Sequence, residues 1–200
     1  MIDPATIIAI DTSVVISLDA TGCAGEVLRA IPNKVMIVDV VLRDLEGGRP
    51  LGRRVAHSLR ELAADGLLEI GKLNDAASLH FERLVVGSAA MTLDDGEAAT
   101  IAFAVASAGM AVVDEPKAAH ICAKLFPHLS IECTVGLLAQ PSVGTNLGNG
   151  MLATAVFKAI QDGRMRVFPQ YVEWVVNVIG QEQAVACARL SKFKYKLQQF

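Results

Sequence analysis

Four carboxylates in this 200-residue chain stand where apolar stretches end. Asp11 follows Ile7-Ile8-Ala9-Ile10 directly, and Asp114 follows Met110-Ala111-Val112-Val113 in the same way. On a helix over 38–46, Asp44 lies one turn from Val40 and Val41 and two turns from Ile37, which turns it inward, whereas Glu46 shares the outer side with Asp39 and Arg43. On a helix over 93–108, Glu97 is in register with Ile101, Ala104 and Ala108, at the amino end of a buried stripe, with Asp94 and Asp95 within one turn. A charge at the end of a core stripe is costly without a partner. Four inward carboxylates with no matching inward Lys or Arg repel one another unless a divalent cation neutralises them. An oxygen-only donor set points to Mg²⁺ or Mn²⁺. The chemistry that fits is metal-assisted phosphodiester hydrolysis, in which the ion lowers the pKa of an attacking water and stabilises charge on the scissile phosphate.

Each acid also has an ordinary structural use. Asp11 is able to cap a helix that begins after it, Asp94-x-x-Glu97 has the form of a capping box, Glu115-Pro116 reads as a helix start, and Asp44 would serve as a solvated helix residue. It is the four together that favour the cation. No other catalytic pattern competes: there is no GxSxG or HExxH, and His57, His80, His120 and His128 are scattered as surface residues would be. Cys23, Cys122, Cys133 and Cys187 form no CxxC pair, which argues against zinc and disulfides and for reduced core thiols.

The elements that must position these acids follow from hydrophobic periodicity. Strands are predicted over 7–10, 35–37, 67–70, 110–113 and 129–133, and helices from Thr12 and over 22–31, 38–46, 51–65, 75–86, 93–108 and 116–126. That alternation predicts an α/β fold with a central parallel sheet, whose ligands lie at the carboxyl ends of the strands, where Asp11 and Asp114 both fall. A nuclease-sized domain over 1–140 and an extension over 141–200 are expected, the latter a Gly/Asn-rich loop at 140–150 followed by helices packed on the same domain. The loop glycines lack GxGxxG spacing after a strand and do not read as a nucleotide cradle.

Composition bounds the rest. With 52% apolar residues and mean hydropathy +0.43 the chain is too hydrophobic to be disordered. The longest uncharged apolar run, Ala98–Val113, is interrupted by Thr100 and Ser107 and is too short to span a membrane, so it reads as a buried helix and strand. The first ten residues carry Asp3 and no basic residue, so no secretory or transit signal is read there and a cytoplasmic location is expected. The net charge of −3 divides into −7 over residues 1–150 and +4 over 151–200, an acidic body with a basic end.

The blocks IIAIDTSVVISL (7–18), VVLRDLEGGR (40–49), LDDGEAATIAFA (93–104), AVVDEPKAAHICAKL (111–125) and SIECTVGLLAQ (130–140) resemble, in order, the motifs of PIN-domain nucleases, closest to the VapC-like toxin type. The text AIQDGRMRVFPQYVEWV also resembles the helical carboxyl-terminal part of one PIN subgroup. The resemblance implies a three-layer α/β/α fold and Mg²⁺- or Mn²⁺-dependent cleavage of single-stranded RNA by three or four acids. It also implies, for many members, a toxin held by an antitoxin protein and a homodimer. Carried over by position, it places the catalytic, metal-binding acids on Asp11, Asp44, Glu97 and Asp114, with Asp94 and Asp95 as neighbours that leave the third ligand open. Ser13 matches a residue that supports the metal shell, and Thr134 a hydroxyl residue after the last strand. The chain departs from the pattern in having Asp rather than Glu at 44, Glu115-Pro116 and His120 where Asp and Arg are commoner, and Cys133 at a usual Gly position.

The expected activity is therefore endoribonucleolytic hydrolysis of single-stranded or structured RNA, the chain being the toxin of a toxin–antitoxin pair. Arg49, Arg53 and Arg54 would hold the phosphates, and Arg189, Lys192, Lys194 and Lys196 form a second basic group. No membrane partner is expected. The alternative is a PIN-like nucleic-acid or protein-binding module with weak or no catalysis, its altered acids no longer gripping metal. A phosphatase of the haloacid-dehalogenase type is disfavoured because Ser13 stands where its second Asp is needed.

Overall fold

The computed structural model describes residues 3–48, 50–187 and 190. In chain order the elements are β1 (Ile8–Ile10), α1 (Thr12–Ala20), α2 (Ala24–Ala30), β2 (Val35–Val38), α3 (Asp39–Gly47), α4 (Pro50–Ala64), β3 (Glu69–Gly71) and α5 (Asp75–Val85). They continue with α6 (Asp95–Ala106), β4 (Met110–Val112), α7 (Pro116–Leu125), β5 (Ser130–Glu132), α8 (Thr134–Leu138) and α9 (Pro141–Gln161). A 3₁₀ turn (Pro169–Tyr171), α10 (Val172–Ile179) and α11 (Gln181–Ala186) follow. Two compact units result: residues up to Val15 with Pro32–Cys133, and Ile16–Ile31 with the described residues from Thr134 onward.

The first unit holds the sheet. All five strands are parallel in the order β3-β2-β1-β4-β5, with Ile8 opposite Val35, Ile10 opposite Val112, Val38 opposite Gly71 and Val112 opposite Glu132. The central strands Ile-Ala-Ile and Val-Met-Ile-Val are buried throughout, as strands covered on both faces must be, while the edge strands carry Glu69 and Glu132. Lys34 on the β2 side pairs with Glu69 at 2.8 Å on the exposed edge. Chain order runs outward from β1 through β2 to β3, then returns to place β4 on the other side of β1. The strand order therefore reverses between β1 and β4, the place where open parallel sheets form a crevice at their carboxyl ends.

The Ala98–Val113 run divides as its composition implies: α6 is apolar on every side and its Ala98, Ala99, Ile101, Ala102 and Ala104 are buried, as a helix apolar all round must be. It packs with Leu84 of α5 and Ile121 and Cys122 of α7 against Ala9 of β1 and Ala111 of β4. Alanines on α6 let it lie close to the strands, which brings its amino end to the sheet's carboxyl edge.

The second unit contains the main departure from the sequence expectation. Residues 140–150 are not a loop: they form the first half of α9, which is kinked at Gly148 (φ 69°, ψ 164°). Glycine and asparagine have poor helix propensity, but Pro141 starts the helix and Val143, Leu147 and Leu152 are buried along it. Burial of that face outweighs propensity, and only Gly148 takes the left-handed conformation that breaks the run. Asn146 Nδ2 donates to the Glu26 carbonyl of α2 at 3.0 Å, which fixes this half of the helix.

Candidate metal centre

Asp11 leaves β1 and immediately caps α1: its Oδ1 accepts the Val14 N–H at 2.8 Å and the Ser13 hydroxyl at 2.9 Å, and Oδ2 accepts the same hydroxyl at 3.1 Å. The capping use and the candidate ligand use thus coexist in one carboxylate. Its backbone N–H reaches the Val112 carbonyl of β4 at 3.3 Å, which ties the ends of the two central strands together. Asp114 lies two residues beyond β4 at the same edge and is buried. Because β1 and β4 are adjacent and parallel with Ile10 opposite Val112, both acids emerge at the reversal point of the sheet.

Glu97 is in the first turn of α6. Asp94 caps that helix, its Oδ1 accepting the Glu97 N–H at 2.9 Å, the Asp-to-Glu half of a capping box. The first-unit acids interact as a chain that runs from Asp11 through Glu97 and Asp94 to Asp44. Burial, with the charges of Asp114 and Glu97, pushes the Asp11 carboxyl up to about 8, against the lowering hydrogen bonds from Val14 and Ser13. Burial, then Asp94 and Glu115, push Glu97 up to about 7, with Lys117 opposing. Beneath Glu97 the buried Cys122 thiol is pushed up to about 12 by burial and by the Glu97 charge. Asp44 shares Asp94 with Glu97: partial burial raises it, then Asp94 and Asp95, with Arg43 opposing.

Asp44 corrects the sequence expectation in part. It is solvent-exposed rather than buried, because α3 turns Val41 and Leu45 into the core and leaves Asp44 at the margin of that stripe. Its Oδ2 nonetheless reaches the amino end of α6, 2.9 Å from where a methyl group on Gly96 would stand. Glu46 is half-buried and pairs with Arg60 of α4, and Asp39 holds Arg43 at 2.7 Å, so Glu46 is the less exposed of Asp44 and Glu46, the reverse of the inward-outward division expected from periodicity. Thr12 was not legible as a site residue. Its Oγ1 is buried, makes no hydrogen bond, and lies 2.9 Å from that same point beside Gly96.

Of the remaining expected residues, Ser13 supports Asp11 as described, and Thr134 is fully buried at the start of α8 in the second unit. Arg53 and Arg54 lie on the exposed face of α4, Arg53 reaching the Gly48 carbonyl at 3.2 Å. Arg49, Arg189, Lys192, Lys194 and Lys196 fall outside the described residues. His57, His120 and His128 are exposed, and His80 meets Phe126 edge-on, so none approaches the acids as a ligand would. Cys122, Cys133 and Cys187 are buried and Cys23 half-buried, none of them in a disulfide.

The sequence profile of the PIN-domain family DUF3368 matches residues 7–181. The chain belongs to the PIN-domain family. PIN domains are in general nucleases that use divalent metals. This PIN domain is also similar to a chain of the crystal structure of VapBC2 from Rickettsia felis bound to a DNA fragment from their promoter, at 18% identity and a TM-score of 0.46 over 64% of this chain and 98% of that one. No curated protein matches it significantly. Among the described residues no group of three or more His, Cys, Asp or Glu side chains is placed so that it could hold a metal ion. The donor set of this PIN domain nevertheless fits a hard divalent ion: carboxylates raised by burial and by one another, with an orphaned hydroxyl at their margin. Among the described residues no helix is long and apolar enough to cross a membrane.

Proposed function

We propose that this PIN domain is a Mg²⁺- or Mn²⁺-dependent endoribonuclease that hydrolyses single-stranded RNA and acts as the toxin of a toxin–antitoxin pair. The observation that carries the reading is Asp11, buried at the reversal point of a parallel sheet, pushed up to about 8 and coupled to Asp114 and Glu97. Asp11, Glu97 and Asp114 would hold the ion, with Asp44 closing its exposed side. When bound, the ion would activate water and stabilise charge on the scissile phosphate. Ser13 and the Val14 N–H orient Asp11, and the Asp94 cap orients Glu97. Arg53 and Arg54, with Arg49 of the same sequence block, would hold the RNA backbone by charge. An antitoxin partner, a homodimer and a cytoplasmic location belong to this reading through the resemblance to VapC-like toxins.

The test is cleavage of a mixed single-stranded RNA pool with Mn²⁺, Mg²⁺ or EDTA, using wild type and Asp11→Asn. Metal-dependent cleavage that falls at least a hundredfold in Asp11→Asn is the expected result. Folded protein that cuts no RNA in any metal would move the reading to a binding module without catalysis, which the exposed position of Asp44 and its shorter side chain favour.

A further inference from the structure

At the amino ends of β1, β4 and β5, the edge of the sheet away from Asp11 and Asp114, the first unit holds a cavity of about 450 Å³. That lies within the roughly 300–1,000 Å³ of small-molecule sites. Ala104 and Val105 in the last turn of α6, Leu125 at the end of α7, and Phe126 and Leu129 beyond it make the wall apolar. Phe126 is held by two neighbours: the Arg83 guanidinium stands over its ring, 5.6 Å from the centroid, and His80 meets it edge-on. Thr6, His128 and Ser130 add polar groups to the lining, and among the described residues none of these three side chains makes a hydrogen bond or ion pair.

One residue of the wall is strained. The end of α6 has the bond pattern of a Schellman cap, with the Ala108 N–H on the Val105 carbonyl at 3.2 Å and the Gly109 N–H on the Ala104 carbonyl at 2.8 Å. That pattern asks for a left-handed residue at 108, where glycine is usual, yet the position is an alanine with φ 50°. The glycine stands one place later, where a Cβ would meet the Ile7 carbonyl oxygen at 2.5 Å. Close approach to β1 thus accounts for Gly109, whereas the methyl group at 108 costs the helix end and adds to the cavity wall. Strained backbone of this kind concentrates at ligand sites.

We propose that this cavity binds a small uncharged aromatic molecule bearing an N–H or O–H donor. Its lining holds no Asp, Glu, Lys or Arg. The carboxyl ends of α6 and α7 disfavour an anion, and the Arg83 guanidinium beside Phe126 disfavours a cation. Helix carboxyl ends, hydroxyls and an imidazole all offer acceptors, so the ligand brings the donor. Its ring covers the apolar wall around Phe126. The inference is independent of the metal-dependent reading, because the acids lie at the opposite ends of β1 and β4.

Indole is the probe, with N-methylindole lacking the donor and indole carboxylate carrying a negative charge. Each is titrated into the full chain without metal and followed by ligand-observed NMR, with thermal unfolding alongside. Indole is expected to bind, N-methylindole about tenfold more weakly for the acceptor left unpaired, and the carboxylate about tenfold more weakly against two helix ends. Ser130→Phe, which fills the cavity from an exposed strand start, should abolish indole binding with the melting temperature little changed. Ala108→Gly should weaken indole binding about threefold by removing one methyl contact, while raising the melting temperature by roughly 2–4 °C as the strain is relieved. Equal affinity for indole and N-methylindole, unchanged binding in Ser130→Phe, or no indole binding up to its solubility limit would overturn the inference. A dimeric wild type that became monomeric in Ser130→Phe would assign the cavity to a second copy of the chain and overturn it as well.

Discussion

Asp11 releases its proton near pH 8 in the folded chain against an ordinary value of 3.8, and Glu97 near pH 7 against 4.5. Both groups bind protons more tightly folded than unfolded. Their contribution to stability is therefore complete below about pH 4 and is lost as pH rises through 7 to about 8. Metal-free protein should melt at progressively lower temperature between about pH 5 and pH 8. Asp11→Asn, which keeps an acceptor oxygen for Ser13 and Val14, should flatten that slope. Thermal unfolding in EDTA across this window checks it, and a melting temperature that climbed with pH would contradict the burial of these acids. The position of Asp11, buried at a strand end where it caps the next helix, was legible in the sequence because the carboxylate directly follows a β-branched strand and precedes a helix start. The exposure of Asp44 was not, since helical periodicity places a residue on a side of its own helix and says nothing of where that side ends against its neighbours.

Helices and strands were legible where apolar periodicity was strong, as in β1, β2, α5, α6 and α7, whose observed ends lie within two residues of expectation. The expectation failed at 140–150, where glycine and asparagine signalled a loop and burial of Val143 and Leu147 made a helix. Two glycines turn these observations into tests. A methyl on Gly52 would stand 2.6 Å from the Leu45 backbone carbonyl, so α4 crosses α3 in backbone contact. Gly52→Ala should cost roughly 1–3 kcal/mol by chemical denaturation and weaken Mn²⁺ binding, because α3 carries Asp44. Gly148 has φ 69° and open space where a Cβ would go. Gly148→Ala should cost roughly 1–3 kcal/mol from its positive-φ backbone conformation alone, with Mn²⁺ affinity unchanged. Equal effects of both variants on Mn²⁺ affinity would refute this assignment.

For the molecule as a whole, a ligand that binds only the folded chain stabilises it by mass action. Mn²⁺ at a hundred times its dissociation constant contributes about 2.7 kcal/mol. In a chain of this size each kcal/mol moves the melting temperature by roughly 2–4 °C. The expected rise with Mn²⁺ is therefore roughly 5–10 °C, reversed by EDTA and lost in Asp11→Asn; a calorimetric scan that showed no shift would sink the metal centre. The charge asymmetry, −7 over residues 1–150 and +4 beyond, opposes RNA binding by the body except where Arg53 and Arg54 stand. Removing either arginine should weaken RNA binding without regard to sequence and lower the salt dependence by about one charge, as filter binding across a salt series would report.

Sequence by itself determined the family, the parallel α/β order and the candidate acids, because strand-terminal carboxylates and apolar stripes are local patterns written in consecutive residues. Tertiary structure alone decided that β4 returns beside β1 and so brings Asp11 and Asp114 to one crevice. It alone decided that Asp11 feels Asp114 and Glu97 while Asp94 acts on both Glu97 and Asp44, and that Thr12, Asp44 and Gly96 meet. The reason is distance along the chain: residues 12, 44 and 96 belong to three separate helices, and their approach depends on how those helices pack on the sheet, which no local pattern encodes.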